Sequence, residues 1–315
     1  MHFLIIGAGG IGCYYGALLQ RAGHRVTLIA RGEHLSAMQQ NGLKIVHPDF
    51  SFDAPVTAYS IEQMMQQINI DDIDLILLTI KGTQTESLLQ QTRQWLGSGT
   101  KNVSILSLQN GIDNEPLIEE TLGKERTLGG LAVKIGGHVI SPGVIEATGP
   151  AQVVMGLWPN SWENPTSEAA ASEFAHAFEE AGIPTTLTNN IELELWKKLL
   201  INNGVNPLSA LTEMDTRALT SHPVFGDIVY KLMQETADVA EACGVSLDQQ
   251  DIDAMYQLIC NFDAIQTSML VDKLKGRTLE IDAICGAILR RAEAQGVDTP
   301  FTAFVNALVL QQMMN

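Results

Sequence analysis

The sequence has little of what marks a nucleic-acid-binding, membrane or secreted protein. Lysine and arginine number 19 against 36 aspartates and glutamates, which gives a formal net charge of −17. Nucleic acid and anionic lipid surfaces bind basic faces, so this balance argues against both as partners. No apolar run approaches the about 18 residues of a membrane helix, and the short apolar start lacks a basic leader. We therefore expect a soluble cytoplasmic protein.

Cysteine is also scarce, and its spacing carries no signature. The four residues Cys13, Cys243, Cys260 and Cys285 form no CxxC pair and no Cys/His ligand pattern. Zinc sites and disulfide frameworks both depend on such regular spacing. We therefore expect buried thiols in a reducing compartment, and no metal site.

The length predicts two domains. Single hydrophobic cores usually stop growing at about 250 to 300 residues, and this chain has 315. Its 45% hydrophobic and 17% charged residues are typical of an ordinary globular protein. We expect it to fold alone or as a small oligomer such as a homodimer.

Strand-like and helix-like segments alternate in the first part of the chain. The six clearest are, in order, strand His2–Ile6, helix Ile11–Arg21, strand Arg25–Ile29, strand Leu75–Ile80, helix Thr83–Trp95 and strand Val103–Leu108. The run LILLTI is too short for a typical helix and apolar throughout, which favours a strand buried on both faces. This alternation predicts an α/β domain with a parallel sheet.

The sequence pattern changes from strand-like to helical segments along the chain. Residues 127–158 are glycine-punctuated β segments, predicted as antiparallel strands that extend the sheet, followed by helix Glu168–Ala181 and a strand near Pro184–Leu187. Beyond these the helical period dominates, with helices predicted at Ile191–Ala210, Val224–Cys243, Gln249–Ile259, Leu279–Gln295 and Phe301–Met313. We place the boundary between residues 1–188 and an all-helical domain, residues 189–315.

A glycine-rich turn follows the first strand. Gly7-Ala8-Gly9-Gly10-Ile11-Gly12 matches GxGxxG between a strand and a helix, as a dinucleotide-binding domain of the Rossmann type requires. Gly7 permits the tight turn, Gly9 allows close approach of a pyrophosphate, and Gly12 lets the helix pack on the strand. Free N–H groups at the helix start then bind the anion. The alternative is a purely structural glycine turn.

The end of the second strand indicates which dinucleotide binds. NAD enzymes usually carry an acidic residue there for the ribose hydroxyls, whereas this chain has Ala30-Arg31-Gly32. Arg31 suggests a 2′-phosphate, and hence NADP. Glu33 lies two residues further on, where a first-turn acid is expected from the helix dipole alone. The alternative for Arg31 is a solvated surface arginine.

A polar stripe crosses an otherwise apolar helix. Glu194, Lys198, Asn202 and Asn206 recur every four residues among leucines and a tryptophan. Asparagine is a poor helix former and costly to bury without partners, so the stripe suggests the lining of a polar cavity. The alternative is a surface Glu–Lys pair, with the asparagines near a frayed end before Pro207.

Two further groups of residues lie where ligands could bind. Ser268 is followed twelve residues later by Glu280, which on its own is better explained as a first-turn acid that suits the helix dipole than as a catalytic group. Gln109-Asn110-Gly111 lies at the end of a predicted sheet strand, and open α/β sheets bind ligands at this edge. The alternative is a plain turn.

Together these motifs resemble the ketopantoate reductase (2-dehydropantoate 2-reductase) family. The segments that carry the resemblance run in order along nearly the whole chain: Gly7–Gly12, Thr79–Lys81, Gln109–Gly111, Glu194–Leu199 continuing into Asn206–Leu208, Ser268–Leu270 and Glu280–Asp282. The resemblance implies NADPH-dependent reduction of ketopantoate to pantoate, a step toward pantothenate and coenzyme A.

The resemblance also implies roles for individual residues. Lys198 would be the general acid, and Glu280 would position and polarise the substrate. Ser268, Asn202 and Asn206 would hold the substrate carboxylate and hydroxyl groups. Lys81 and Asn110 would face the nicotinamide ribose and the reacting centre, and Arg31 would bind the 2′-phosphate.

Two other interpretations stay open at this stage. Ile265 stands where some members have a substrate-binding asparagine, so the substrate could be a different small 2-oxo acid. A non-catalytic NADP(H)-binding sensor could keep the glycine turn without the chemistry. Such a sensor would not need Lys198, Glu280 and their polar neighbours, which favours the enzyme.

Overall fold

The computed structural model describes residues 1–161, 164–261 and 264–313. The chain divides into two compact units. The α/β unit comprises Met1–Gln109 and Asn114–Ile191, and the helical unit comprises Asn110–Asp113 and Glu192–Asn315. The short segment Asn110–Asp113 thus belongs to the helical unit although the chain on either side does not. The limits 1–188 and 189–315 remain a prediction of which part binds cofactor and which binds substrate.

An eight-stranded sheet organises the α/β unit. Its strands, in spatial order, are β12 (Thr185–Leu187), β11 (Gln152–Leu157), β8 (Thr127–Val133), β7 (Ser104–Ser107), β6 (Leu75–Leu78), β1 (His2–Ile6), β2 (Arg25–Ile29) and β5 (Thr57–Tyr59). All neighbours pair in parallel except β8 and β11, which are antiparallel.

Both faces of this sheet are buried. Phe3 and Ile5 of β1 belong to one apolar cluster, and Leu4 and Ile6 belong to another on the opposite face. Alternate residues of β6 divide in the same way, which explains its continuous apolar sequence. The predicted α/β fold of the Rossmann type is therefore confirmed.

A second, four-stranded sheet corrects one prediction. Its order is β4 (Ser51–Ala54), β3 (Leu43–Val46), β10 (Val144–Thr148) and β9 (Gly136–Ser141). Of the β segments predicted in residues 127–158, only β8 and β11 extend the main sheet. The other two join β3, with which β10 pairs in parallel, because Ile145 and Ala147 are buried in the same core as Leu43 and Ile45.

Helices cover the main sheet. Those of the α/β unit are α1 (Gly10–Arg21), α2 (Gly32–Asn41), α3 (Ile61–Gln67), α4 (Thr85–Leu96), α5 (Asn114–Leu122) and α6 (Pro165–Glu180). Leu18 and Phe178, of α1 and α6, lie in one cluster, and Met64 and Leu89, of α3 and α4, lie in the other.

The helical unit contains, in chain order, α7 (Ile191–Thr212), α8 (Thr216–Ser221), α9 (Pro223–Ala242), α10 (Gln249–Cys260), α11 (Ser268–Leu274), a π-helical turn (Asp282–Gly286), α12 (Ala287–Gln295) and α13 (Pro300–Met313). The predicted helix Leu279–Gln295 is thus partly wrong, since its first part is a π turn. In the described ranges, each helix falls short of the length or apolarity needed to span a membrane.

Candidate active site

The glycine-rich turn has the geometry that a dinucleotide needs. Gly7 has φ of 109°, and a Cβ there would lie 2.6 Å from the backbone nitrogen of Ile80. A Cβ on Gly12 would lie 2.4 Å from the Gly7 carbonyl oxygen. Above Gly9, by contrast, a Cβ would meet only one atom, at 4.0 Å. Helix α1 begins after Gly9 without a side-chain cap or an acidic first turn, so its N-terminal dipole faces an open approach.

Gly10 serves packing inside the α/β unit. A Cβ on this residue would lie 2.0 Å from the carbonyl oxygen of Gly137 in β9. Real side chains never approach this closely, so the small sheet and the start of α1 touch through two glycines. Of the four glycines in the turn, Gly9 alone has open space beside it, and Gly7, Gly10 and Gly12 have no room for a side chain.

Arg31 lies beside this turn. The backbone N–H groups of Gly7 and Ala8 both donate to the Ile29 carbonyl, at 3.2 and 2.8 Å, which joins the turn to the end of β2. Arg31 follows two residues later as the exposed residue that precedes α2. Glu33 lies in the first turn of α2, as expected from the helix dipole. The exposed guanidinium is suited to bind a phosphate. The residues at the end of β2, Ile29 and Ala30, include no acid that would pair with it.

His34 is a contact of the turn that the sequence did not reveal. Its Nδ1 accepts the Gly143 N–H at 3.0 Å, and its Nε2 lies 3.6 Å from Cys13 Sγ. Burial lowers the pKa of His34, and a hydrogen bond to the Ala8 carbonyl opposes this only partly. A neutral ring therefore links the glycine turn to the small sheet. The position of an isolated histidine in α2 gave no signal of this.

The ends of β6 and β7 are tied together by Gln109. Its Nε2 donates to the Ile80 carbonyl at 3.0 Å and to Thr85 Oγ1 at 2.8 Å, and the side chain is buried. Lys81 follows Ile80 and is half-buried at the start of a short helical turn. The Gln-Asn-Gly motif is therefore more than a plain turn, because its first residue joins two strand ends.

The polar stripe runs along an intact helix. Helix α7 continues past Pro207 to Thr212, so Asn202 and Asn206 do not lie at a frayed end. Lys198 and Asn202 are half-buried and Asn206 is buried, so the stripe passes from a partly open surface into the interior. The steps of four residues are about 6 Å along the axis.

Two neighbours of the stripe are accounted for by structural contacts. Lys197 forms a 3.0 Å ion pair with Asp251 of α10. Asn203 is fully buried and donates to Thr236 Oγ1 at 3.0 Å and to Thr302 Oγ1 at 3.1 Å. These contacts stabilise the packing of α7 against α10, α9 and α13.

Asn110 and Glu280 are brought together across 170 residues of sequence. Asn110 Nδ2 donates to Glu280 Oε2 at 3.0 Å, and both side chains are half-buried in the helical unit. Glu280 precedes the first helical residue, Ile281, and its carboxylate also accepts this hydrogen bond from outside its own helix. This contact joins a residue predicted to face the cofactor to one predicted to act on the substrate.

Ser268 is the exposed first residue of α11 in the helical unit. Thr267 caps this helix by accepting the Leu270 N–H at 3.2 Å, which leaves the Ser268 hydroxyl free of that task. Ile265, three residues earlier, exposes 47% of its surface, while its backbone pairs with Thr216.

All four cysteines are free thiols. Burial raises the pKa of Cys13 and of Cys285, so neither is a reactive thiolate at neutral pH. Among residues 1–161, 164–261 and 264–313, no group of three or more His, Cys, Asp or Glu side chains could hold a metal ion.

The chain matches known proteins over nearly its whole length. Residues 3–160 match the profile of the family described as "Ketopantoate reductase PanE/ApbA", and residues 190–312 match "Ketopantoate reductase PanE/ApbA C terminal". The 2-dehydropantoate 2-reductase of Pyrococcus abyssi is 31% identical over 310 residues, which are 98% of this chain and 97% of that protein. The chain belongs to the ketopantoate reductase family. The resemblance stated from the sequence motifs is therefore confirmed.

Solved structures agree with this assignment. A PanE/ApbA family ketopantoate reductase from Ralstonia eutropha has a TM-score of 0.86 and 29% identity, with full coverage of both chains. A ternary structure of D-mandelate dehydrogenase with NADH and anilino(oxo)acetate has a TM-score of 0.87 and 26% identity, covering 99% of this chain and 98% of that one. As a ketopantoate reductase family member, this chain is an oxidoreductase that uses a nicotinamide dinucleotide.

Proposed function

We propose that this chain reduces ketopantoate to pantoate with NADPH. The observation that carries the proposal is the hydrogen bond from Asn110 to Glu280, because it joins a residue expected at the cofactor to one expected at the substrate. The open backbone above Gly9 supports dinucleotide binding, and the Lys198 stripe supports a polar substrate. The 2-dehydropantoate 2-reductase of Pyrococcus abyssi, similar over nearly the whole chain, supports this reaction.

Reduction of the keto group requires three contributions from the protein. NADPH, when bound, supplies the hydride, so the chain must orient the substrate, stabilise charge and donate a proton. Negative charge develops on the keto oxygen, and the Lys198 ammonium is the proposed group that stabilises this charge and donates the proton. Asn202, Asn206 and Ser268 are proposed to hold the carboxylate and hydroxyl groups. Glu280, held by Asn110, is proposed to fix the substrate against Lys198.

The proposed preference for NADP rests on Arg31. A charge-assisted contact to a 2′-phosphate contributes about 1.5 to 3 kcal/mol. We therefore expect Arg31→Ala to weaken NADPH binding by about 1 to 3 kcal/mol and to leave NADH binding nearly unchanged. Fluorescence titration of both cofactors measures the difference. Equal losses for NADH and NADPH would remove the basis for the NADP assignment.

The two central glycines of the turn are expected to respond differently to alanine. Gly9→Ala places a methyl group in open space at an extended backbone position (φ −83°), so the melting temperature should stay close to wild type while dinucleotide affinity falls. Gly10→Ala forces the small sheet away from α1, and overpacking of this kind costs about 1 to 3 kcal/mol of stability. Thermal unfolding without cofactor and titration with NADPH separate the two effects. Similar melting temperatures for both variants would contradict this division.

A panel of 2-oxo acids tests the substrate. The exposed side chain of Ile265 offers apolar surface near Ser268, and the structure of D-mandelate dehydrogenase contains an aromatic oxoacid analogue. Ketopantoate, 2-oxoisovalerate and phenylglyoxylate should therefore be compared by kcat/KM with NADPH. The proposal expects ketopantoate to give the highest value. A higher value for phenylglyoxylate would assign the chain to aromatic 2-oxo acids instead.

A further inference from the structure

The segment Asn110–Asp113 is held by one stretch of the helical unit, residues 280–291. Asn110 donates to Glu280 at 3.0 Å. Gly111 has φ of 94°, and a Cβ on it would lie 2.8 Å from the Ala283 carbonyl oxygen. Only glycine therefore fits the close passage of the loop over the π-helical turn.

Asp113 anchors the other end of this segment. Its Oδ2 accepts from Arg290 at 2.8 Å and its Oδ1 accepts from Arg291 at 2.6 Å. Each carboxylate oxygen thus has its own guanidinium, and charge-assisted bonds of this type are about twice as strong as neutral ones. Arg291 also donates to the Ile112 carbonyl at 3.3 Å. Two successive residues of the loop are therefore fixed by α12.

Arg290 also contacts the segment that follows Glu280. It donates to Asp282 Oδ1 at 2.7 Å, and Asp282 begins the π-helical turn two residues after Glu280. Gly286 makes room for this bond, because a Cβ there would lie 2.5 Å from Asp282 Oδ1 and 3.0 Å from the arginine. π turns are frequent at functional sites. Arg290 thus binds Asp113, three residues after Asn110, and Asp282, two residues after Glu280.

We propose that Asp113 is a positioning residue, which acts through Arg290 and Arg291 to hold the Asn110 amide against the Glu280 carboxylate. This inference rests on the proposed function, in which these two side chains face the reacting centre. Two aspartates and two arginines form a chain of ion pairs, in the order Arg291, Asp113, Arg290 and Asp282. Without Asp113, the loop would lose both of its ion pairs with α12.

Kinetics of Asp113→Asn and Asp113→Ala test the proposal. Displacement of a positioned group by about 1 Å can cost about 100-fold in rate, so we expect kcat to fall by about 10- to 100-fold while NADPH affinity stays within twofold. Asp251→Asn is the matched control, because it also removes a carboxylate from an ion pair of 3.0 Å in the helical unit. The control should lose similar thermal stability and keep its kcat. Equal kcat values for the control and the Asp113 variants would overturn the proposal.

A double-mutant cycle identifies the residue through which Asp113 acts. On an Asn110→Ala background, Asp113→Asn should lower kcat by less than about twofold, because the group that it positions is already absent. An undiminished loss on that background would show that Asp113 acts independently of Asn110, which contradicts the proposal.

Hydrogen exchange of the Asn110 side-chain amide, followed by NMR with labelled asparagine, needs no substrate. The signals of Asn110, assigned with the Asn110→Ala variant, should exchange faster in Asp113→Asn than in wild type or Asp251→Asn. Unchanged exchange would refute the positioning role whatever the enzyme reduces. Faster exchange in a protein that reduces no 2-oxo acid would support the anchor and refute the proposed function alone.

Discussion

Lys198→Ala is expected to reduce turnover by about 100- to 10,000-fold, the usual cost of losing a positioned general acid. The ammonium group is proposed to meet the negative charge that hydride transfer drives onto the keto oxygen, and alanine supplies neither charge nor proton. Binding of NADPH should be nearly unchanged, since the candidate phosphate-binding residues lie in the α/β unit. Steady-state kinetics and a cofactor titration on the same preparation measure both quantities.

The adjacent lysine provides the control for this variant. Lys197→Ala removes the same type of side chain one position earlier on α7, but the group it removes is paired with Asp251 at 3.0 Å. Its turnover should stay within a few-fold of wild type, with some loss of stability. If Lys198→Ala also retained turnover within a few-fold, another group would have to be the acid.

Glu280→Gln is expected to lower kcat/KM by tenfold or more while barely changing the melting temperature. A favourable helix-dipole contribution is about 0.3 to 1 kcal/mol, so the loss of charge costs little stability. The amide keeps the shape of the side chain and one acceptor oxygen for Asn110, but it removes the negative charge and replaces the other oxygen by a donor. Misplacing the substrate relative to the cofactor then forfeits the advantage of orientation.

The melting temperature and the kinetic constants of Glu280→Gln should be measured on one preparation. A variant that lost stability and kept its activity would falsify the active-site role of Glu280. It would leave this residue as a capping acid near the start of the π-helical turn, and it would also weaken the significance of the Asn110 contact.

Sequence patterns predicted those elements of the α/β unit that depend on neighbouring residues. Strands β1 and β2 occupy the predicted residues because apolar runs between glycine and polar boundaries can hardly be anything else. The glycine-rich turn could be predicted for the same reason, since its glycine spacing depends on the local strand–turn–helix geometry. Strands β3 and β4 were missed because they are short and half-polar, and β3 pairs with β10 about 100 residues away.

The candidate substrate residues show the limit of sequence patterns more clearly. The stripe on α7 was visible because helical spacing places its members on one face. The contacts of Asp113 were not visible, because they join a loop to arginines 177 and 178 residues later. Likewise, the π-helical turn arises in a segment whose apolar spacing is that of a regular helix, and its close contact with Gly111 is tertiary.

The most direct test of the proposed function follows the hydride itself. Purified protein should be incubated with ketopantoate and NADPH in which both hydrogens at C4 of the dihydronicotinamide are deuterium, and the product examined by mass spectrometry. We expect pantoate with one deuterium on C2, formed in equal amount to the NADPH consumed. The absence of pantoate, or pantoate without the label, would contradict the assignment of this chain as an NADPH-dependent reductase of ketopantoate.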